Sequence, residues 1–201
     1  MDEKALFKLT YGLFLLTAQE DGVDNGCIIN TAMQVANNPT RIAISVIQKN
    51  KTHDMIYNTG VFTISSISTS ADFGLFQRFG MQSGREVNKF EGFSDVARSE
   101  NQCFYLTKAS NMYLSAKVTE RIDLGSHTLF VAELTDGVVL SDENSCTYGY
   151  YQSDIKPKPV VTPTRSWTCS VCGYVYEGDE VPEDFLCPIC HHGKSDFEIS
   201  V

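Results

Sequence analysis

No stretch of this 201-residue chain approaches the ~18 uncharged apolar residues that a membrane-spanning helix needs. The opening MDEKALFKLT is acidic and has no apolar signal region, so a cytoplasmic protein is expected. Basic residues are scarce: 16 Lys and Arg stand against 25 Asp and Glu, a formal net charge of −9. Binding to a phosphate backbone needs a basic surface, which excludes a nucleic-acid role. Internal repeats and low-complexity tracts are absent, and 42% apolar content with 20% charge excludes a disordered or fibrous chain. The length leaves room for one domain of about 150 residues and a small satellite.

What is present is concentrated at the C-terminal end. Seven cysteines occur, and four of them form two C-x-x-C pairs, Cys169/Cys172 and Cys187/Cys190, with fourteen residues between the pairs. In a reducing compartment this pattern means metal ligation before disulfides, because each pair turns tightly enough for two thiolates to grip one metal. Two pairs supply the four sulfurs of a tetrahedral site. Spacing alone does not separate iron from zinc, since a zinc ribbon uses the same ligands. Cys27, Cys103 and Cys146 are scattered and read as small buried residues. His191 and His192 follow the last cysteine but are superfluous as ligands once four thiolates are in place, and they read as a solvated loop. Trp167, Tyr174, Tyr176, Phe185 and Phe197 offer a small core to shield the metal from water. With Cys172-Gly173-Tyr174, Cys187-Pro188 and Gly193-Lys194-Ser195-Asp196-Phe197, the segment resembles rubredoxin, with a shorter loop between the pairs than free rubredoxins have. The resemblance implies one iron held by Cys169, Cys172, Cys187 and Cys190, and one-electron transfer. The same segment is acidic, and Glu177, Asp179, Glu180, Glu183 and Asp184 form a candidate docking face for a basic partner.

Residues 5–150 read as mainly β. Apolar and β-branched runs recur between turn residues, giving candidate strands at 13–18, 26–36, 41–47, 61–68, 112–124 and 127–140. Helices are expected at Lys51–Thr59, with Thr52 as cap, and at Ala71–Phe79 after Ser70. Many antiparallel strands without a βαβ rhythm argue for a barrel. The stretch 152–166 contains Pro157, Pro159 and Pro163 with no period that could bury a face, so it reads as a semi-rigid linker. The expected organisation is a domain over 1–151, the linker over 152–166 and the iron module over 167–201.

Four ordered runs in the larger domain carry a second resemblance. They are Asn25 to Val35, Pro39 to Ala43 with Lys49-Asn50-Lys51-Thr52-His53, Phe79 to Phe90, and Gly125 to Phe130. Together they resemble the flavin reductase-like family, which implies an FMN-binding split β-barrel with short helices and a homodimer with flavin at the subunit interface. Asn30, Thr31 and Ala32 would then bring backbone N–H groups to the flavin edge. Lys51 and Thr52 sit at a helix start that favours the FMN phosphate. Ser83, Gly84 and Arg85 add a hydroxyl, a close backbone and a bidentate cation, and Lys89 completes the cofactor-binding set. By the same resemblance His127 is the candidate catalytic residue beside flavin or nicotinamide, while Tyr148, Tyr150 and Tyr151 pack or stack at the end of the domain. The whole chain resembles fusions of the high-molecular-weight rubredoxin type. That implies NAD(P)H-linked electron flow through FMN and iron to a terminal reductase, such as a flavodiiron protein acting on nitric oxide or dioxygen. The alternatives are a flavin reductase that hands reduced flavin to an oxygenase and a zinc-ribbon scaffold. No nicotinamide-specific motif separates NADH from NADPH or from a protein donor.

Overall fold

The computed structural model describes residues 2–158 and 165–200, which fall into two compact units, Met1–Pro157 and Lys158–Val201. Among the described residues no helix is long and apolar enough to cross a membrane.

In the larger unit a 3-10 turn, Glu3–Lys8, precedes β1 (Phe14–Glu20) and β2 (Val23–Ile29). Asp21 and Gly22, both at positive φ, make the two-residue hairpin between them, a turn whose twist matches that of the strands. Next come β3 (Ala32–Asn37), β4 (Thr40–Ile47), α1 (Lys51–Thr59), β5 (Val61–Ile67) and α2 (Phe73–Gly80). A small hairpin, β6 (Val96–Arg98) and β7 (Phe104–Leu106), leads to the long strands β8 (Ser110–Asp123) and β9 (His127–Val139). The unit ends in α3 (Tyr148–Tyr150), which runs on as a π-helical turn, Tyr151–Ile155. The linker expected over 152–166 therefore opens inside a helical turn, and its residues 159–164 lie outside the described residues.

Seven strands form one antiparallel sheet in the order β2-β1-β5-β8-β9-β4-β3. Its two edge strands, β2 and β3, are consecutive in the chain, and the two residues between them can bridge no more than ~11 Å. The sheet must therefore curl until its edges meet at Asn30-Thr31, which makes a split barrel. The single strand expected over 26–36 is thus two strands on opposite edges. Both halves are apolar and β-branched, so their alternation gives no sign of the break.

The curled sheet encloses one core, built on Leu16, Ile44, Val46, Ile56, Phe62 and Phe130. A second core under α2 takes Leu13, Leu15, Ile67, Phe76 and Phe79. Strand β1 serves both, with Leu16 and Ala18 in the first core and Leu15, with Leu13 just ahead of the strand, in the second. That is why Leu15 to Ala18 are all buried instead of alternating between faces. Helix α1 is capped by Asn50, whose side chain accepts from the Thr52 N–H, and is closed by Gly60 in the left-handed conformation. Thr52, the expected cap, is instead fully buried. Asp72 caps α2, which starts two residues later than the expected Ala71.

The smaller unit is a three-stranded sheet, β11-β10-β12, from β10 (Ser166–Cys169), β11 (Val175–Glu177) and β12 (Phe197–Ile199). Its core is Val181 and Phe197 with Cys169 and Cys187, against which Trp167, Tyr174, Tyr176 and Phe185 pack. Tyr176 and Phe185 stand 4.8 Å apart between ring centroids, and Phe185 meets Phe197 edge-on at 5.6 Å.

Candidate functional site

In the smaller unit the four expected ligands converge, with all four sulfurs within 4.8 Å of one another. Cys169 Sγ lies 3.6 Å from Cys190 Sγ, and Cys172 Sγ lies 3.4 Å from Cys187 Sγ. A tetrahedral site with metal–sulfur bonds of ~2.3 Å places its sulfurs ~3.8 Å apart, so the cluster is close to the size of one ion. Both C-x-x-C turns close in the same way. The N–H after each second cysteine, from Gly173 or His191, donates to the carbonyl of Cys169 or Cys187 at 2.8 Å. Both residues sit at positive φ, 76° and 59°, so His191 serves through its backbone. Burial raises the Cys187 thiol, but the N–H groups of Cys190 and Ile189 and the neighbouring sulfurs bring it down to about 7. The His192 N–H lowers Cys190, yet burial and the three other sulfurs push it up to about 12. Four sulfurs packed this closely do not all ionise unaided, and a cation among them supplies the missing charge. The donor set fits iron. Of the expected acidic docking face, Glu180 and Glu183 are tied to Lys194 Nζ at 2.7 Å each, which leaves Glu177, Asp179 and Asp184. Exposed Val171, Leu186 and Ile189 lie in or beside the two cysteine turns.

In the larger unit a cavity of about 210 Å³ opens where the sheet edges meet, with Ile28, Asn30, Val46, Asn50, His127 and Tyr148 in its wall. His127 opens β9 opposite Ile47, and its Nδ1 is 2.8 Å from Ser126 Oγ. Thr31 Oγ1 donates to Asn30 Oδ1 at 3.1 Å, and Ala32 opens β3 opposite Ile44. Asn50 both lines the cavity and caps α1, so the cavity leads to the positive end of that helix. Lys51, half-buried, begins the helix.

Ser83-Gly84-Arg85 comes to the same end of α1 from more than 30 residues further along the chain. Arg85 Nε donates to the Lys49 carbonyl at 3.3 Å, and its Nη2 meets Asp54 Oδ2 at 2.5 Å. Burial acts to raise the Asp54 carboxyl, but His53 and Arg85 outweigh it and hold the group below its ordinary range. Exposed Ser83 and Arg85 present a hydroxyl and a guanidinium beside the helix start. A cavity walled by Ile28, Ile29, Val46 and Ile47 together with polar Asn30, Asn50 and His127, leading to a helix start with Arg85 beside it, suits a heterocycle carrying a phosphate.

Two expected cofactor residues are placed elsewhere. The Thr52 hydroxyl faces inward and accepts from Asn25 Nδ2 at 2.8 Å. Lys89 is 3% exposed, and its Nζ donates to the Gly26 and Phe79 carbonyls at 3.0 Å each. Burial lowers its pKa, partly offset by the Cys27 thiol beside it. Its amphipathic stem and two carbonyl partners make it a bolt between β2 and the end of α2.

Residues 6–158 match the family model described as flavin reductase like domain. The chain belongs to the flavin reductase-like family. Residues 167–198 match a second model, the rubrerythrin, rubredoxin-like domain. The High molecular weight rubredoxin of Moorella thermoacetica is 35% identical, the alignment covering 98% of this chain and 99% of the relative. The Ferric-chelate reductase (NAD(P)H) of Archaeoglobus fulgidus is 32% identical over 82% of this chain and 96% of its own. Among solved structures, an FMN-binding protein from Thermus thermophilus superposes with a TM-score of 0.59 at 18% identity, over 66% of this chain and 73% of that one. In this flavin reductase-like chain, sequence reasoning passed over Ser45, Asp54 and Asn25 around the cavity and the helix start. Asn50 carried a readable signal, being the usual type of capping residue directly before a helix.

Proposed function

We propose that this chain is an electron-transfer flavo-rubredoxin of the cytoplasm: it takes electrons from NAD(P)H into FMN and passes them through one iron to a terminal reductase of the flavodiiron type. The observation that carries the reading is the joining, in one chain, of a cavity leading to the start of α1 with a four-sulfur cluster of single-ion size. It is supported by likeness to a High molecular weight rubredoxin along 98% of the chain. When bound, FMN accepts a hydride as a two-electron unit and gives electrons up singly, and iron in four thiolates takes them one at a time. Asn30, Thr31 and Ala32 line the ring edge, while Lys51, the α1 N-terminus and Ser83-Gly84-Arg85 hold the phosphate. His127, its Nδ1 steadied by Ser126, faces the reacting edge. A cavity of about 210 Å³ is smaller than the ~300 Å³ at which ligand pockets begin, and a second copy meeting it would complete the site as a homodimer. Val171, Leu186 and Ile189, with Glu177, Asp179 and Asp184, which make no ion pair among the described residues, form the face that meets the partner.

The test is metal and flavin analysis of protein from anaerobic, iron-supplemented growth, followed by stopped-flow mixing with NADH or NADPH. One iron and about one FMN per chain are expected, with flavin bleaching before iron. Stoichiometric zinc in place of iron, or flavin reduction with no subsequent iron reduction, would overturn the reading in favour of a scaffold or of a simple flavin reductase.

A further inference from the structure

We propose that Asn25, which never reaches the cavity wall, is a positioning residue that sets the phosphate end of the flavin site. This rests on the FMN reading above and identifies the buried group that shapes it. Asn25 lies in β2 and is 1% exposed. A buried amide is costly unless its polar atoms are used, and this one is used to join two segments. Its Nδ2 donates to Thr52 Oγ1 at 2.8 Å. Thr52 in turn gives its N–H to Asn50, the cap of α1. On its other side the Asn25 amide forms the floor beneath Gly84. A Cβ added at Gly84 would stand 2.2 Å from Asn25 Oδ1 and 2.6 Å from its Nδ2. Gly84 is not among the positive-φ glycines, so the glycine is needed for room and not for backbone freedom.

One side chain therefore fixes both the start of α1 and the loop that carries Arg85. Arg85's own contacts do not do this. Its side chain is 51% exposed and its partner Asp54 43%, and exposed ion pairs hold geometry weakly. The spacing between the Arg85 guanidinium and the α1 N-terminus is set from below, by Asn25. Because charge-assisted phosphate contacts depend on that spacing, disturbing Asn25 should weaken binding of FMN but not of riboflavin, which has the same ring and no phosphate.

The experiment titrates flavin-stripped full-length protein with FMN and with riboflavin, by fluorescence quenching. Asn25→Ala and Gly84→Ala should each lower the preference for FMN about tenfold and leave riboflavin affinity unchanged. Thr52→Val should do the same, and Thr52→Ser, which keeps the hydroxyl, should retain the preference. Loss of preference in Arg85→Ala alone would overturn the proposal while sparing the phosphate site. Unchanged preference in Arg85→Ala as well would remove the phosphate site and the proposal together. An equal loss of FMN and riboflavin affinity in the Asn25, Gly84 and Thr52 variants would show fold damage and also overturn it.

Discussion

Lys89 and Arg85 stand four positions apart in one motif and look interchangeable as cations, yet the fold uses them in opposite ways. Arg85 lies on the surface at the start of α1, bonded to the Lys49 carbonyl. Lys89 is buried, its ammonium consumed by two carbonyls. Arg85→Ala and Lys51→Ala should each cost about tenfold in FMN affinity. This is the low end of the ~1.5 to 3 kcal/mol for a charge-assisted bond, because Arg85 also serves Asp54 and is half exposed. Lys89→Met should behave differently: it strands two buried carbonyls at a cost of ~1 to 3 kcal/mol each. The expected result is a lower melting temperature with the ratio of FMN to riboflavin affinity intact. A lowered ratio in Lys89→Met would return that lysine to the phosphate. The convergence of Cys169, Cys172, Cys187 and Cys190 follows from short-range spacing, which dictates their geometry. Thr52 and Lys89 turn inward because the direction in which a polar side chain points is decided by burial, to which a motif is blind.

At the scale of elements, α1 shows what local signals can and cannot specify. Its span, Lys51–Thr59, follows from Gly60 at one end and the change of period at the other. The cap itself was taken two residues too late, since Thr and Asn are both good caps and only the inward packing of Thr52 separates them. Asn50→Ala should lower stability by about 1 kcal/mol, or roughly 2 to 4 °C for a chain of this size, and also weaken flavin binding because Asn50 lines the cavity. Asn50→Asp separates the two roles. It keeps a good cap and suits the helix dipole, so stability should hold, while a carboxylate placed where the phosphate belongs should cut FMN affinity more than the alanine does. Thermal melts alongside FMN titrations of both variants are the check, and equal FMN affinity in the two would separate Asn50 from the phosphate. The β2–β3 break at Asn30-Thr31 and the Tyr148–Ile155 helical segment went unread for a related reason. Both are set by closure of the sheet edges and by packing against Phe76, and neither leaves a periodic trace.

For the molecule as a whole, the division into two units was legible from composition, with prolines between a β-rich domain and a cysteine-rich tail, but their dependence on ligands differs for a reason of size. The larger unit has two cores of its own. Among the described residues the smaller has Val181 and Phe197 as buried core besides Cys169 and Cys187, two of the four sulfurs proposed to hold the iron. The rubredoxin-like segment, residues 167–198, falls below the ~40 residues under which a unit seldom buries enough surface to fold without a metal or a disulfide, so the free energy of metal binding here is folding free energy. Removing iron anaerobically should therefore expose the amides of β10, β11 and β12 to exchange while the barrel amides of β5, β8 and β9 stay protected. Adding zinc to the stripped protein should restore protection of the small unit without restoring its visible absorbance or its reduction by the flavin, since zinc has the same tetrahedral thiolate preference and no redox chemistry. Hydrogen exchange followed by mass spectrometry reads both units in one experiment. Protection of β10 to β12 that survives loss of the metal would show that the aromatic packing of Tyr176, Phe185 and Phe197 holds the unit together alone, leaving the iron a purely redox role.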